Sequence, residues 1–229
     1  MNSRILNVVR LQFVNKQTYL WVPLIVLAGT LVLNILIFAI IPTDGPKYSG
    51  GAQAPLWYFL YVGISSLTLT FPFSQAMSLT RREFFLGTLT AASITAAILA
   101  CLFVLMGLIE RVTNGYGVNG YIGYLPYMWE RGWWAAWIVV FVTTMFFFVA
   151  GFWSATIYKR WGATALTVVL FGLGLLGIGG LYIAGRLNAW AAIFEWFATT
   201  GALGLALWAI PLIALLAGGS YLTLRRATP

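Results

Sequence analysis

Three groups of residues have types and spacing suited to a task beyond packing. The first is the stretch SLTRREFFLGT, Ser78 to Thr88, in which Arg81, Arg82 and Glu83 stand directly against Phe84 and Phe85. Topology explains the arginines, as basic residues of a cytoplasmic turn, but not Glu83 beside them or the compact Arg-Arg-Glu-Phe-Phe-Leu-Gly order. The second is a run of hydroxyls and amides, Ser65, Ser66, Thr68, Thr70, Ser74, Gln75 and Ser78, around Pro72. Inside a bilayer such groups either bond between helices or line a path for a polar or amphipathic substrate. Pro72 would also free a carbonyl one turn back. The third is RLNAWAAIFEWF, where Trp190, Phe194 and Phe197 recur at helical spacing and form one apolar face of a short amphipathic helix. At the outer surface such a helix would serve as a lid over an exit path.

Enzyme chemistry has few residues to work with. The chain has no histidine, so hydroxyl–imidazole and thiol–imidazole nucleophiles and imidazole metal sites are excluded. The single cysteine, Cys101, lies in an apolar run and has no partner for an internal disulfide. Asp44, Glu83, Glu110, Glu130 and Glu195 are the only acids, too few and too dispersed for a carboxylate metal site. A phosphate-binding loop needs glycine before its lysine. Lys16, Lys47 and Lys159 follow Asn15, Pro46 and Tyr158, so the chain holds no such loop. No catalytic residue, metal ligand or cofactor site is expected within it.

The elements that must position these groups follow from composition. Of 229 residues, 61% are hydrophobic and 8% charged, and mean hydropathy is +0.90. An ordinary soluble domain is about 25% charged, so this surface belongs in lipid. Continuous apolar runs, without residue-by-residue alternation, indicate helices rather than a barrel. With roughly 20 residues needed per crossing, the spacing predicts an all-α integral membrane protein with six spans. They run approximately over 20–41, 56–78, 85–109, 133–157, 163–184 and 201–222, a single transmembrane domain with no nucleotide-binding domain.

Charge sets the expected orientation. Arg4, Arg10, Lys16, Arg81, Arg82, Lys159, Arg160, Arg225 and Arg226 fall on one side with Glu83. Lys47, Arg111, Arg131 and Arg186 fall on the other with the four remaining acids. The formal excess of +8 therefore belongs to one face, which would be cytoplasmic together with both termini. No basic block suits nucleic acid. Before the first span, Ile5, Val9 and Phe13, with Leu6 nearby, mark one side of a helix over 1–19. Such a helix would lie at the interface with its apolar side in lipid and Arg4 and Arg10 near anionic headgroups.

Two further features stand out. The fifth span carries Gly172, Gly174, Gly177, Gly179 and Gly180, and a rough stripe of small residues from Ala163 to Ala184. That suits close approach of a neighbouring helix, or a gating movement. The outer connection from Asn114 to Trp134 combines glycine turns with Tyr116, Tyr121, Tyr124, Tyr127, Trp129, Trp133 and Trp134, an aromatic belt at headgroup level.

An interfacial N-terminal helix, six spans, the connection FPFSQAMSLTRREFFLGT (Phe71 to Thr88) and a membrane-dipping segment before the last span (Asn188 to Phe197) occur here together. In this combination the chain resembles the permease subunits of bacterial ABC exporters of the type-2, or ABCG-like (type V), fold. The resemblance covers the chain at the level of architecture, and only Phe71–Thr88 is motif-like. It implies that Arg81, Arg82, Glu83 and Phe84 contact an ATPase subunit and that the second and fifth spans line the path. It also implies that two ATPase chains bind ATP and Mg outside this chain, and that a second permease, identical or homologous, completes the unit in the bacterial plasma membrane. The cargo would be hydrophobic or amphipathic: a drug, lipid or peptide. Two other readings remain open: a non-transport membrane protein, such as an immunity or sensor subunit binding a peptide or lipid at its outer loops, and the substrate-binding subunit of an energy-coupling-factor vitamin importer. The first span lacks the alanines spaced by four that such an importer subunit uses.

Overall fold

The computed structural model describes residues 3–43 and 45–225; Asp44 and Arg226, counted above in the charge balance, lie outside them. The architecture is helical apart from one pair of two-residue strands. In chain order the elements are α1 (Ser3–Val14), α2 (Val22–Ile40), α3 (Ala54–Thr68), α4 (Thr70–Ala76), α5 (Arg81–Val112), α6 (Pro126–Trp129), α7 (Trp133–Arg186) and α8 (Trp190–Leu224), with strands β1 (Lys47–Tyr48) and β2 (Gly120–Tyr121). A π-type turn over Gln17–Trp21 leads into α2. Among the described residues five helical stretches are long and apolar enough to cross a membrane, so the chain is an all-α membrane protein in its helix content and surface.

Two glycines subdivide the longest of these. Gly162 has φ 82° and ψ −178°, which splits α7 into arms over 133–161 and 163–186. Gly201 has φ 63° and ψ 175°, which breaks α8 into arms over 190–200 and 202–224. Both conformations are open to glycine and strained for any residue with a Cβ. The fourth and fifth apolar segments expected from the sequence are thus the two arms of α7, and the expected short helix before the last segment is the first arm of α8.

The core sits between α3, α5 and the first arm of α7. About half of each corresponding apolar window is buried, against 11% for α2 and for α8. The α3–α7 crossing brings backbone onto backbone. A Cβ added at Gly63 would overlap the Phe148 carbonyl oxygen, and one added at Gly151 would overlap that of Leu60. Small residues permit this approach, and dispersion then holds the helices without a hydrophobic contribution from water. Phe59, Phe148 and Phe152, all fully buried, fill the space around it.

The glycines that drew attention in the sequence behave differently. A Cβ on Gly172, Gly174, Gly177, Gly179 or Gly180 would meet nothing within 4 Å, and Phe171, Leu175 and Leu176 beside them are exposed. This arm presents an unpacked apolar face along nearly its whole length.

At the less basic end, β1 pairs in parallel with β2, Lys47 opposite Gly120. Lys47 Nζ donates to the carbonyls of Phe38 (2.8 Å) and Ile41 (2.9 Å). A cation on the last carbonyls of α2 satisfies its end and complements its dipole.

Gly151→Ala is expected to destabilise the protein by about 1–3 kcal/mol, the range for overpacking a tight site. The check is the thermal unfolding midpoint in detergent, with Gly177→Ala expected to leave it unchanged.

Candidate functional site

The richest polar constellation lies at the basic end, where α1, the entry to α2, α3–α4 and the start of α5 meet. α1 presents Val8, Val9 and Gln12 to the protein interior, all buried. The side expected to face lipid therefore packs on α5 instead. Gly87 makes this possible: a Cβ there would sit 2.5 Å from Val8 Cβ.

Gln12 is fully buried and joins the four segments. Its Nε2 donates to Thr88 Oγ1 at 2.8 Å and to Thr70 Oγ1 at 3.0 Å. Its Oε1 accepts from the Tyr19 hydroxyl at 2.9 Å. Both amide protons and the amide oxygen are thus engaged, and Thr70 passes its own proton to the Ser66 carbonyl. The α3–α4 break at Leu69 places Thr70, the first residue of α4 and two before Pro72, in this network. A cavity of about 20 Å³ lies beside it, lined by Asn15, Thr18, Tyr19, Ser65, Ser66 and Thr70 among others. Its size and polarity suit a single water.

The remaining hydroxyls of the second apolar segment bond within their own helix: Ser65 to the Val62 carbonyl, Ser66 to Gly63, Thr68 to Ile64 and Ser74 to Phe71. Ser65, Ser66 and Ser74 are buried, whereas Thr68, Thr70 and Gln75 are half-buried. Gln75 Nε2 donates to the Leu79 carbonyl at 3.3 Å, closing the turn that leads to α5.

The residues of that turn divide their work. Thr80 and Glu83 form a capping box: Glu83 N donates to Thr80 Oγ1 at 3.2 Å, and Thr80 N donates to Glu83 Oε2 at 2.9 Å. This supplies the reason for a glutamate beside two arginines, which topology alone did not. Arg4 adds an ion pair to Glu83 at 3.8 Å. Arg81 reaches across to the end of α8, donating to the carbonyls of Leu224 (3.2 Å) and Arg225. Phe84 is fully buried and meets Phe71 edge-on, ring centroids 5.2 Å apart. Arg82 is the member of the set left exposed. It borders a cavity of about 420 Å³ with Phe85, Leu86, Gly218 and Tyr221.

A second site lies at the opposite end, and its key residue did not stand out in the sequence. Glu110, near the end of α5, is fully buried. Its carboxylate accepts from the backbone N–H groups of Ile122 (3.1 Å), Gly123 (3.0 Å) and Tyr124 (2.7 Å). It fixes the aromatic loop that roofs a cavity of about 270 Å³ between α3, α5 and α7, with Trp57, Phe103, Tyr127, Met128 and Phe147 in its walls. Burial and then the Glu110 charge push the Tyr116 hydroxyl up to about 12. Glycines at the loop's turns were the one signal of a backbone nest, and the carboxylate that fills it lay twelve residues upstream.

Trp190, Phe194 and Phe197 occupy the first arm of α8 and are exposed. Trp190 and Phe194 lie with ring centroids 6.2 Å apart. A Cβ on Gly201, at the break in α8, would sit 3.4 Å from Glu130 Oε2, which places the base of this arm beside the aromatic loop. Among the described residues no cluster of histidine, cysteine and acid side chains could hold a metal. No family model matches the chain, and neither a curated protein nor a solved structure matches it.

Gln12→Leu is expected to cost about 1–3 kcal/mol by stranding buried hydroxyls, read as a lower unfolding midpoint and faster protease cleavage ahead of α2. The Tyr116 shift makes a separate expectation. Its folded pKa lies above the ordinary tyrosine value of 10.0, so the folded state keeps a proton that the unfolded chain releases. The Tyr116 contribution to stability should be complete below pH 10 and fall as pH rises toward about 12. Tyrosinate absorbance of the native protein minus that of Tyr116→Phe should isolate one tyrosine titrating at that raised value.

Proposed function

We propose that this chain is the membrane-spanning permease of an ATP-driven exporter, six times across the plasma membrane with both termini in the cytoplasm. It would be coupled to separate ATPase subunits that bind ATP and Mg. The observation that carries this reading is mechanical. The turn before α5 is bonded to α1, to the kinked α3–α4 segment and to the end of α8 through Gln12, Glu83 and Arg81. A force applied at exposed Arg82 would therefore reach several membrane helices together. Coupling requires a rigid contact of this kind at the face where a soluble motor can reach. In this reading Arg81 and Glu83 brace the contact, Phe84 anchors it in the core, and Arg82 meets the partner.

The two arms of α7 supply the fourth and fifth crossings, and the first arm of α8 forms an outer lid. The exposed apolar face of residues 163–186 is available to lipid or to a second permease, identical or homologous, which would complete the path. The hydroxyls from Ser65 to Gln75 are largely turned inward or bonded to their own backbone. A path beside them would be only weakly polar, in keeping with a hydrophobic or amphipathic cargo.

The roofed cavity near Trp57 and Tyr127 favours a second reading, a membrane protein that binds a peptide or lipid at its outer face without an ATPase. Purification from native membranes distinguishes the two. The exporter reading expects an ATPase to accompany the chain, with hydrolysis lowered several-fold by Arg82→Ala while the unfolding midpoint stays unchanged. Absence of an ATPase, with ligand retention abolished by Trp57→Ala or Tyr127→Ala, would favour the second reading.

A further inference from the structure

The basic end holds a pocket that the coupling reading does not use. It has a volume of about 440 Å³ and is lined by Arg160, Leu222, Thr223 and Arg225. Its walls are built. Thr223 donates to Thr156 Oγ1 at 2.8 Å and so pins the end of α8 to the first arm of α7. Arg81 holds the last carbonyls of α8 from the other side. Arg160 stands on the final turn before the Gly162 break, its guanidinium 4.0 Å from the Trp161 ring. Arg225 lies 5.9 Å from the Tyr221 ring.

Neither guanidinium is paired with a carboxylate among the described residues. Glu83 is engaged by Thr80 and Arg4, and Glu110 is held by the opposite loop. Two cations facing one polar pocket call for an anion, and a guanidinium fork matches a phosphate oxygen pair. The rim says which anion. Tyr158, Trp161 and Leu222 are exposed beside the arginines, an aromatic and aliphatic border of the sort found where headgroups give way to acyl chains. A phosphate carrying acyl chains would cover that border, whereas an acidic, water-soluble surface would leave it bare. We propose that Arg160 and Arg225, on walls fastened together by Thr223, form a binding site for the phosphate of an anionic phospholipid in the leaflet at the basic end. Bound there, the lipid would bridge the first arm of α7 and the end of α8, reinforcing the Thr223–Thr156 contact.

The test is native mass spectrometry of the delipidated full chain, titrated with phosphatidylglycerol or with phosphatidylcholine. The wild type should take up one phosphatidylglycerol in preference to phosphatidylcholine. Arg160→Ala/Arg225→Ala should weaken that uptake roughly 10- to 30-fold, as expected for two basic side chains at a lipid surface. Arg10→Ala/Lys16→Ala removes the same charge from the same side and should retain it. Equal weakening in both double variants would overturn the proposal in favour of a diffuse surface potential. Displacement of the lipid by inorganic phosphate at matched concentration would also overturn it, as would full uptake by Arg160→Ala/Arg225→Ala with loss of a co-purifying protein. Should the alanine pair fail to fold, the wild-type titration decides alone: equal uptake of the two lipids sinks the site.

Discussion

The arrangement at the basic end depends on one buried amide. Gln12 is fully buried, where an unpaired polar group would be costly, and every hydrogen-bonding atom of its side chain is engaged. Its partners come from three other segments, so each is held relative to α1 and to the others by the requirement that the amide remain satisfied. Without that requirement α1 would be an amphipathic helix free to slide along the interface. With it, α1 becomes a strut between the base of α5 and the kink below α3.

The opposite end uses the same principle with a charge in place of an amide. Glu110 draws three consecutive backbone N–H groups around its carboxylate, and the loop that carries them becomes the roof of an apolar-walled cavity. Between these polar anchors the helices touch through glycine. Gly63 and Gly151 allow α3 and α7 to meet at backbone distance, a contact that lipid cannot replace because tails cannot follow so close a groove. The protein thus has a stiff centre, fastened at both ends, and peripheral helices that remain largely uncovered.

That contrast bears on how the chain would work. In the proposed coupling, a motor acting on the basic end would move the fastened centre as one piece. Displacement would be absorbed where the backbone is already broken, at Gly162 and Gly201, and along the arm 163–186 that has few neighbours in the chain.

Membrane residence, helix content and the clustering of basic residues on one side were legible in the sequence, because each depends on composition or on segment length alone. The amphipathic character of α1, the break before the last apolar segment and the Phe71–Thr88 turn were legible too, since local spacing determines them. The tertiary structure alone decided which face of α1 is buried, that Glu83 serves as a helix cap and Phe84 as core, and that the close-packing glycines are 63 and 151 rather than those of residues 172–180. It also decided that Gln12 and Glu110 are the polar anchors. The physical reason is the same in each case. Hydropathy and periodicity report how much of a segment avoids water, but in lipid both the outside and the inside of a bundle are apolar. Only the positions of partner backbones and hydrogen-bonding groups, brought together from distant parts of the chain, distinguish a residue that meets lipid from one that holds the fold.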